Sequence, residues 1–232
     1  MAFLENLHPF YGTGKRNRAG ETLEEFLDHY DPKKYDCPSN TTDIVVVRCR
    51  EALTHWGQPL EVLLVKRSNH PSIGCWATPG GFVELKEDLE AGAARELEEE
   101  TGVKGLPLKQ LTTWGAYGRD PRWRVITTSF LALVEGDVPV KAGDDADDAL
   151  WFQVSLTRDP EASREIWHLE LCHKEQGISL SSKVQICRSS HPLLTQERYQ
   201  LLASDGIAVD HGCIITQALL ELRRAIEAKI FF

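Results

Sequence analysis

The chain has 232 residues, enough for one large domain or two small ones, and 42% of them are hydrophobic, so a core can form and disorder is not the default. Its formal net charge of −9 argues against a general nucleic-acid-binding surface, which needs an excess of Lys and Arg. The six cysteines (37, 49, 75, 172, 187, 213) form no C-x-x-C pair or zinc-like spacing, the N-terminus is not signal-like, and no apolar run approaches the roughly 20 residues of a membrane span; a soluble cytoplasmic protein with free thiols is expected.

Residues 1–41 read as an N-terminal extension. Within it Glu21–Tyr30 is amphipathic, with Leu23, Phe26 and Leu27 on one side, before Asp31, Pro32 and Pro38 break the pattern. The extension is expected to be either a dimer or lid element or an arm packed on its own domain. Strand signals begin at Asp43: Ile44–Val47 is a continuous β-branched run suited to a buried strand, Gly57, Gln58 and Pro59 mark a turn, and Val62–Lys66 is the return strand. A loop, Ser68–Gly74, leads to Trp76–Pro79. Cys75, beside Trp76, is expected to be a small core hydrophobe and not a nucleophile.

Residues 80–103 read GGFVELKEDLEAGAARELEEETGV. Asp88 is a fitting N-cap, and Gly102 suits the left-handed position that ends a helix. Ala93, Ala94 and Leu97 can pack on a sheet, and the cost of Gly92 in mid-helix, about 1 kcal/mol against Ala, calls for close backbone packing in return. Glu96, Glu99 and Glu100 stand at i, i+3 and i+4, so their carboxylates share a helical face. Like charges so placed destabilise a helix by roughly 0.2–0.5 kcal/mol per pair unless something cationic sits on them. Carboxylate oxygens are hard ligands suited to Mg²⁺ or Mn²⁺. Arg95 can reach Glu99, or Glu87 in the preceding loop, and orient a carboxylate without taking the metal position.

Beyond this helix, Leu108–Tyr117 and Val125–Val134 read as strands, with Glu135, Gly136 and Asp137 closing the second, and Ala149–Gln153 as a short strand. Ile166–Cys172 and Ile178–Ile186 suggest a hairpin turning at Glu175, Gln176 and Gly177. Pro192–Leu202 reads as a short helix. From His211 to Lys229, apolar residues recur at helical spacing behind Asp210 as N-cap. Strands flanking one helix, with a final helix for the other face, predict an α/β/α layered domain.

Gly81, Glu87, Arg95, Glu96, Leu97, Glu99, Glu100, Gly102 and Val103 fill every fixed position of G-x5-E-x7-R-E-U-x-E-E-x-G-U, U being a bulky aliphatic residue. The segment thus resembles the Nudix box. The likeness covers about residues 42–152 and the final helix. It implies the Nudix fold, an α/β/α sandwich with a mixed central sheet, here with an additional C-terminal β-hairpin as an insertion at about 160–190 within a domain spanning 42–232. It also implies a metal site for Mg²⁺ or Mn²⁺ from Glu96, Glu99, Glu100 and the Gly81 carbonyl, with Glu87 as a further ligand.

Three further features bear on the substrate. Gly118–Arg122 reads GRDPR, which resembles a segment of ADP-ribose-type Nudix proteins and of NrtR-like Nudix regulators; Arg119, Arg122 and Arg124 offer planar forks to phosphate, against the alternative of a polar turn in which Asp120 pairs with an Arg. Arg67 is a candidate for phosphate or ribose, with a surface salt bridge as its alternative, and Gly80 and Gly81 complete the candidate substrate-binding set. In the acidic run 142–148 the resemblance points to Asp144 or Asp145, the latter preferred, as a catalytic base or extra ligand, alongside Glu99 and Glu100; a solvated loop is the alternative. Trp114, Tyr117 and Trp123 are candidates to stack on adenine, with a core role as the alternative. His211, in a V-D-H stretch, is assigned to capping or packing.

The resulting expectation is a Nudix pyrophosphohydrolase, most simply one cleaving ADP-ribose to AMP and ribose 5-phosphate, acting as a homodimer by analogy. Its expected partner is a small nucleotide, with no nucleic acid and no membrane. The alternatives are another nucleotide substrate (NADH, a dinucleoside polyphosphate, an oxidised nucleoside triphosphate) or an NrtR-like ligand-sensing regulator. The regulators carry a winged-helix region after the final helix; the acidic charge, the intact box and a chain ending at Phe232 favour an enzyme.

Overall fold

Ile44–Val47 form the middle of strand β1 (Ser39–Cys49), and all four side chains are fully buried. The computed structural model describes residues 2–143, 146–189, 191, 193–194 and 196–229. These fall into two compact units, Met1–Cys37 and Pro38–Phe232.

In the first unit, α1 (Leu23–His29) begins at Thr22, whose side chain accepts from the Glu25 N–H while the Glu25 carboxylate accepts from the Thr22 N–H. This reciprocal capping box stabilises a helix too short to form on propensity alone. No residue of α1 is buried.

The second unit is built on one mixed sheet. After β1 come β2 (Glu61–Arg67), β3 (Trp76–Ala77), β4 (Lys109–Trp114), β5 (Val125–Glu135), β6 (Ala146–Arg158), β7 (Glu165–His173), β8 (Ile178–Arg188) and β9 (Glu197–Asp205). Their order across the sheet is β4-β5-β1-β2-β6-β7-β8-β9, with β3 paired to β2. β1 runs parallel to β5, from Ser39↔Val125 to Cys49↔Glu135; the other pairings are antiparallel.

Alternation along β1 and β2 places a helix on each face. Ile44, Val46, Leu63 and Phe130 bury against Ala93 and Leu97 of α2 (Leu89–Thr101). Val45, Val47, Val62 and Leu64 bury against Ile214, Ile215, Ala218 and Leu219 of α3 (His211–Lys229). A central strand covered on both sides must be apolar at every position, which is why its sequence is a run and not an alternation. The expected α/β/α sandwich is present.

Several expectations need correction. β1 starts at Ser39, ahead of Asp43. β6 is far longer than Ala149–Gln153, because its first half pairs with β2 and its second half, Gln153–Arg158, with β7. The β7–β8 hairpin is where it was expected, closing at His173↔Ile178, but it extends the main sheet and does not stand apart from it. Where Pro192–Leu202 suggested a helix, residues from Glu197 on form β9, paired with β8 from Arg188↔Glu197 to Ser181↔Asp205. Side chains there alternate between half-buried (Glu197, Tyr199, Leu201) and exposed (Arg198, Gln200, Leu202), the period of a strand. Trp167, Ile186 and Leu220 form a small separate core that ties this extension to α3. Among the described residues no helix is long and apolar enough to cross a membrane.

Candidate active site

Residues 79–83 run beside the first half of β1: Ile44 N–H donates to Pro79 O (2.8 Å), Thr42 N–H to Gly81 O (2.9 Å) and Val83 N–H to Asn40 O (3.0 Å). Two glycines make this approach possible. Gly80 has φ +153°, and a β-carbon on it would stand 2.0 Å from the Thr42 carbonyl oxygen. A β-carbon on Gly81 would stand 2.3 Å from Glu96 Oε2. The first glycine admits backbone and the second admits a carboxylate.

Helix α2 delivers that carboxylate. Its N-cap, Asp88, has the expected extended backbone but no side-chain cap bond, and Gly102 ends it with φ +73° and its N–H on Glu98 O. Gly92 makes room for a side chain and not for the close backbone packing expected: a β-carbon there would meet Glu87 Oε1 at 2.8 Å, so the gap houses the Glu87 carboxylate.

Arg95 gathers three carboxylates. It donates to Glu87 from Nη2 (2.7 Å) and Nε (3.1 Å), and from Nη1 to Glu96 Oε1 (2.7 Å) and Glu99 Oε2 (2.9 Å); Nη2 also reaches Phe82 O (3.0 Å). The expectation of Glu87 or Glu99 as its partner becomes both, with Glu96 added. Hydrogen bonds from Arg95 hold Glu87 below the usual carboxylate range. Burial raises Glu96 above it in spite of Arg95.

Glu100 is the box carboxylate that Arg95 does not bind. Its Oε2 accepts the Gly80 N–H at 2.9 Å. Burial pushes its pKa up to about 7; the Gly80 N–H opposes this, and the charges of Glu96 and Asp43 add to it.

A cavity of about 440 Å³ opens over these groups and brings together Arg67, Gly80, Gly81, Glu96, Glu100, Arg119 and Arg122 from the sequence-derived set. Glu87 and Glu99 are not in its wall; they lie with Arg95. Arg67 donates from Nε to Pro71 O (2.8 Å). Arg119 is buried, its fork closed on Asp210 through Nε and Nη2, both at 3.0 Å, with Asp43 3.8 Å away. Arg122 pairs with Asp120 in its own turn (2.8 and 3.1 Å), which lowers the Asp120 pKa. Arg124 braces the same loop at Gly115 O and Ala116 O. Arg122 is thus oriented by Asp120 and Arg119 by Asp210, and both side chains remain in the cavity wall. Asp144 and Asp145 lie outside the described residues.

The proposed aromatic stackers are elsewhere. Trp114 packs near Tyr199 and donates to Ser129 Oγ; Tyr117 and Trp123 are exposed; none of the three lines the cavity. Cys75 is half-buried and not a core residue. His211 is buried and also lines the cavity, Nδ1 lying 2.9 Å from Thr78 Oγ1 and accepting the Thr78 N–H at 3.3 Å. Sequence reasoning missed Asp43, Thr78 and Phe82 as wall residues. Asp43 had a signal: it is the acid directly before an apolar run that is buried on both faces.

The donor chemistry fits a hard divalent cation. Glu96 and Glu100 are partly buried carboxylates facing one cavity, Gly81 lacks the atom that would displace Glu96, and burial has raised the proton affinity of both acids, as expected of anions short of positive charge. Among the described residues no three His, Cys, Asp or Glu side chains converge on a single metal position, and Arg95 pairs with Glu87, Glu96 and Glu99. The Gly81 carbonyl, the expected backbone ligand, accepts the Thr42 N–H and keeps its second lone pair.

Comparison with known proteins accords with this geometry. An ADP-ribose pyrophosphatase of Methanocaldococcus jannaschii is 43% identical over 95 residues, 41% of this chain and 56% of that protein, so the match spans little more than half of this relative. A MutT/nudix family protein from Enterococcus faecalis superposes with a TM-score of 0.64 at 32% identity, covering 87% of this chain and 70% of that one. The NUDIX domain of Shewanella oneidensis NrtR, solved with ADP ribose, superposes with a TM-score of 0.57 at 28% identity, covering 87% and 99%. The NUDIX domain family matches residues 40–170, more than half the chain. The chain therefore belongs to the NUDIX family.

Proposed function

We propose that this cavity binds the diphosphate of a nucleoside diphosphate derivative and hydrolyses it with the help of a divalent cation, ADP-ribose yielding AMP and ribose 5-phosphate. One observation carries the reading: two carboxylates of raised proton affinity, Glu96 and Glu100, close on the Gly80–Gly81 backbone within one cavity. The likeness to an ADP-ribose pyrophosphatase and to a NUDIX domain solved with ADP ribose supports the choice of substrate.

Glu96, Glu100 and the Gly81 carbonyl, joined by Glu99 and Glu87 on release from Arg95, would hold Mg²⁺ or Mn²⁺, which when bound offsets the diphosphate's charge and polarises its phosphoryl oxygens. The Gly80 N–H fixes one oxygen of Glu100 and leaves the other to accept a proton. That free oxygen is our choice for taking a proton from the attacking water. Glu99 and Asp145 are the alternative acceptors. The water oxygen bonds to one phosphorus, the anhydride P–O bond breaks, and its electron pair leaves with the other phosphate. Arg67 and Arg122 line the cavity wall, which supports a role for them in contacting the substrate. The cysteine spacing supports a reducing cytoplasm, and resemblance to ADP-ribose-type proteins supports a homodimer.

A second reading, a sensor that binds ADP-ribose without cleaving it, draws on the NrtR NUDIX domain. Incubation with ADP-ribose, NADH, diadenosine polyphosphates and nucleotide sugars, with Mg²⁺ or Mn²⁺ and with chelator, and chromatographic identification of products separates the two. The expected result is metal-dependent formation of AMP from ADP-ribose. Tight ADP-ribose binding with no cleavage of any compound would favour the sensor.

A further inference from the structure

Phe82 is the sole Phe, Tyr or Trp among the described residues lining the cavity. Its position follows from backbone alternation. Gly81 and Val83, its neighbours, both face α2: Gly81 lies under Glu96, and Val83 Cγ1 is 3.6 Å from the place a β-carbon on Gly92 would take. Successive side chains of an extended segment point to opposite sides, so the ring of Phe82 is turned away from α2. The backbone is pinned on both sides of the ring. Phe82 bridges to Thr41 of β1, and its carbonyl accepts from Arg95 Nη2 at 3.0 Å.

Phe82 is 48% exposed, and apolar surface in water is unfavourable. Over it lies the guanidinium of Arg122, its carbon 5.5 Å from the ring centroid, held in place by both oxygens of Asp120. A rigid aromatic face and a planar cation therefore stand next to Gly81, at the end of the cavity where the diphosphate is proposed to lie. An exposed aromatic ring with a guanidinium beside it favours one ligand chemistry, a flat heteroaromatic ring.

We propose that Phe82 is the platform on which the base of the substrate stacks, with Arg122 as its cationic companion, so that this pair makes the site select base-bearing diphosphates over base-free ones. The proposal rests on the reading of the cavity as a diphosphate site.

The test compares ADP-ribose with 5-phosphoribosyl 1-diphosphate, which carries a diphosphate and no base. KM from turnover, and Kd from calorimetry with turnover stopped by chelator, are measured for wild type, Phe82→Leu and Phe82→Trp. Leucine keeps an apolar side chain and removes the π face. The expected result is that Phe82→Leu weakens ADP-ribose about tenfold relative to the base-free probe, and that Phe82→Trp restores the ratio. An unchanged ratio in Phe82→Leu overturns the proposal, even where the wild type cleaves ADP-ribose and the diphosphate reading stands. A changed Kd ratio without turnover in any form upholds the platform while removing the hydrolase reading. Failure of the wild type to bind either probe overturns both.

Discussion

Gly81 lies directly against the carboxylate of Glu96, a β-carbon at that position falling 2.3 Å from Oε2 and 2.5 Å from Cδ. Glu96 is a flexible side chain, so Gly81→Ala is accommodated by swinging the carboxylate aside, not by moving backbone. Stability is expected to change by no more than about 1 kcal/mol. Turnover is expected to fall roughly 10²-fold, the scale of loss when a charged group at the chemistry is displaced by about an ångström. Urea midpoints and kcat on ADP-ribose check the two halves separately; wild-type turnover in the variant would detach Glu96 from the reaction.

The Arg119–Asp210 pair makes the opposite prediction. Arg119 is 8% exposed and both of its bonds to Asp210 are 3.0 Å. Asp210→Asn removes both close hydrogen bonds from this guanidinium and leaves Asp43, at 3.8 Å, and the charge of Asp120 to offset its own. The expected loss is about 3 kcal/mol of stability, because an unpaired buried charge is costly. Replacing both partners, Arg119→Met with Asp210→Leu, is expected to recover most of it in denaturant melts. Full stability in Asp210→Asn together with a raised KM would instead make Arg119 a substrate ligand.

The contrast between these two sites explains what was legible in the sequence. The box helix could be read because its signals are local: Asp88 and Gly102 bound it, and Glu96, Glu99 and Glu100 share a face by spacing alone. The final helix, His211–Lys229, could be read from its period. The partner of Arg119 could not, since Asp210 is 91 positions away and only folding brings the two together. The same holds for Asp43 beside His211. Strand β9 was hidden for another reason: the alternation from Glu197 to Leu202 is short, and Pro192 before it resembles a helix start. Phe82 carries no local signal of its side, because it takes the two flanking residues facing α2 to turn it outward.

Glu197 anchors the sheet extension to α3. Its carboxylate accepts from Arg224 Nη2 (2.6 Å), Tyr199 Oη (2.7 Å) and Arg188 Nε (2.8 Å), while Arg188 also pairs with Glu165. Burial works to raise its pKa, but these three donors outweigh it and bring the value down to about 2. A depressed carboxylate contributes stability that is present above its usual 4.5 and is lost as pH falls through about 2. Glu197→Gln is expected to cost about 1–2 kcal/mol at pH 7, discounted because Arg188 and Arg224 are each 43% exposed. The difference from wild type should shrink between pH 4.5 and pH 2 in acid titrations followed by circular dichroism. A difference that is constant with pH would mean that packing, not charge, is lost.

Glu100 behaves with the reverse sign. Its pKa rises from the usual 4.5 to about 7, chiefly through burial, so the folded state prefers the protonated form. The stabilising contribution is complete below pH 4.5 and is lost as pH rises through about 7. Without divalent cations the wild type is therefore expected to lose about 2–3 kcal/mol across this window. Glu100→Gln, neutral throughout and still able to accept the Gly80 N–H, is expected to lack that slope. Mg²⁺ at pH 8 should raise the wild-type melting temperature, by mass action on the folded state, and leave the variant nearly unmoved. The same substitution removes the proposed proton acceptor, and turnover should drop by about 10² or more. Parallel pH–stability curves for the two proteins, with equal responses to Mg²⁺, would show that Glu100 carries neither the buried charge nor the cation.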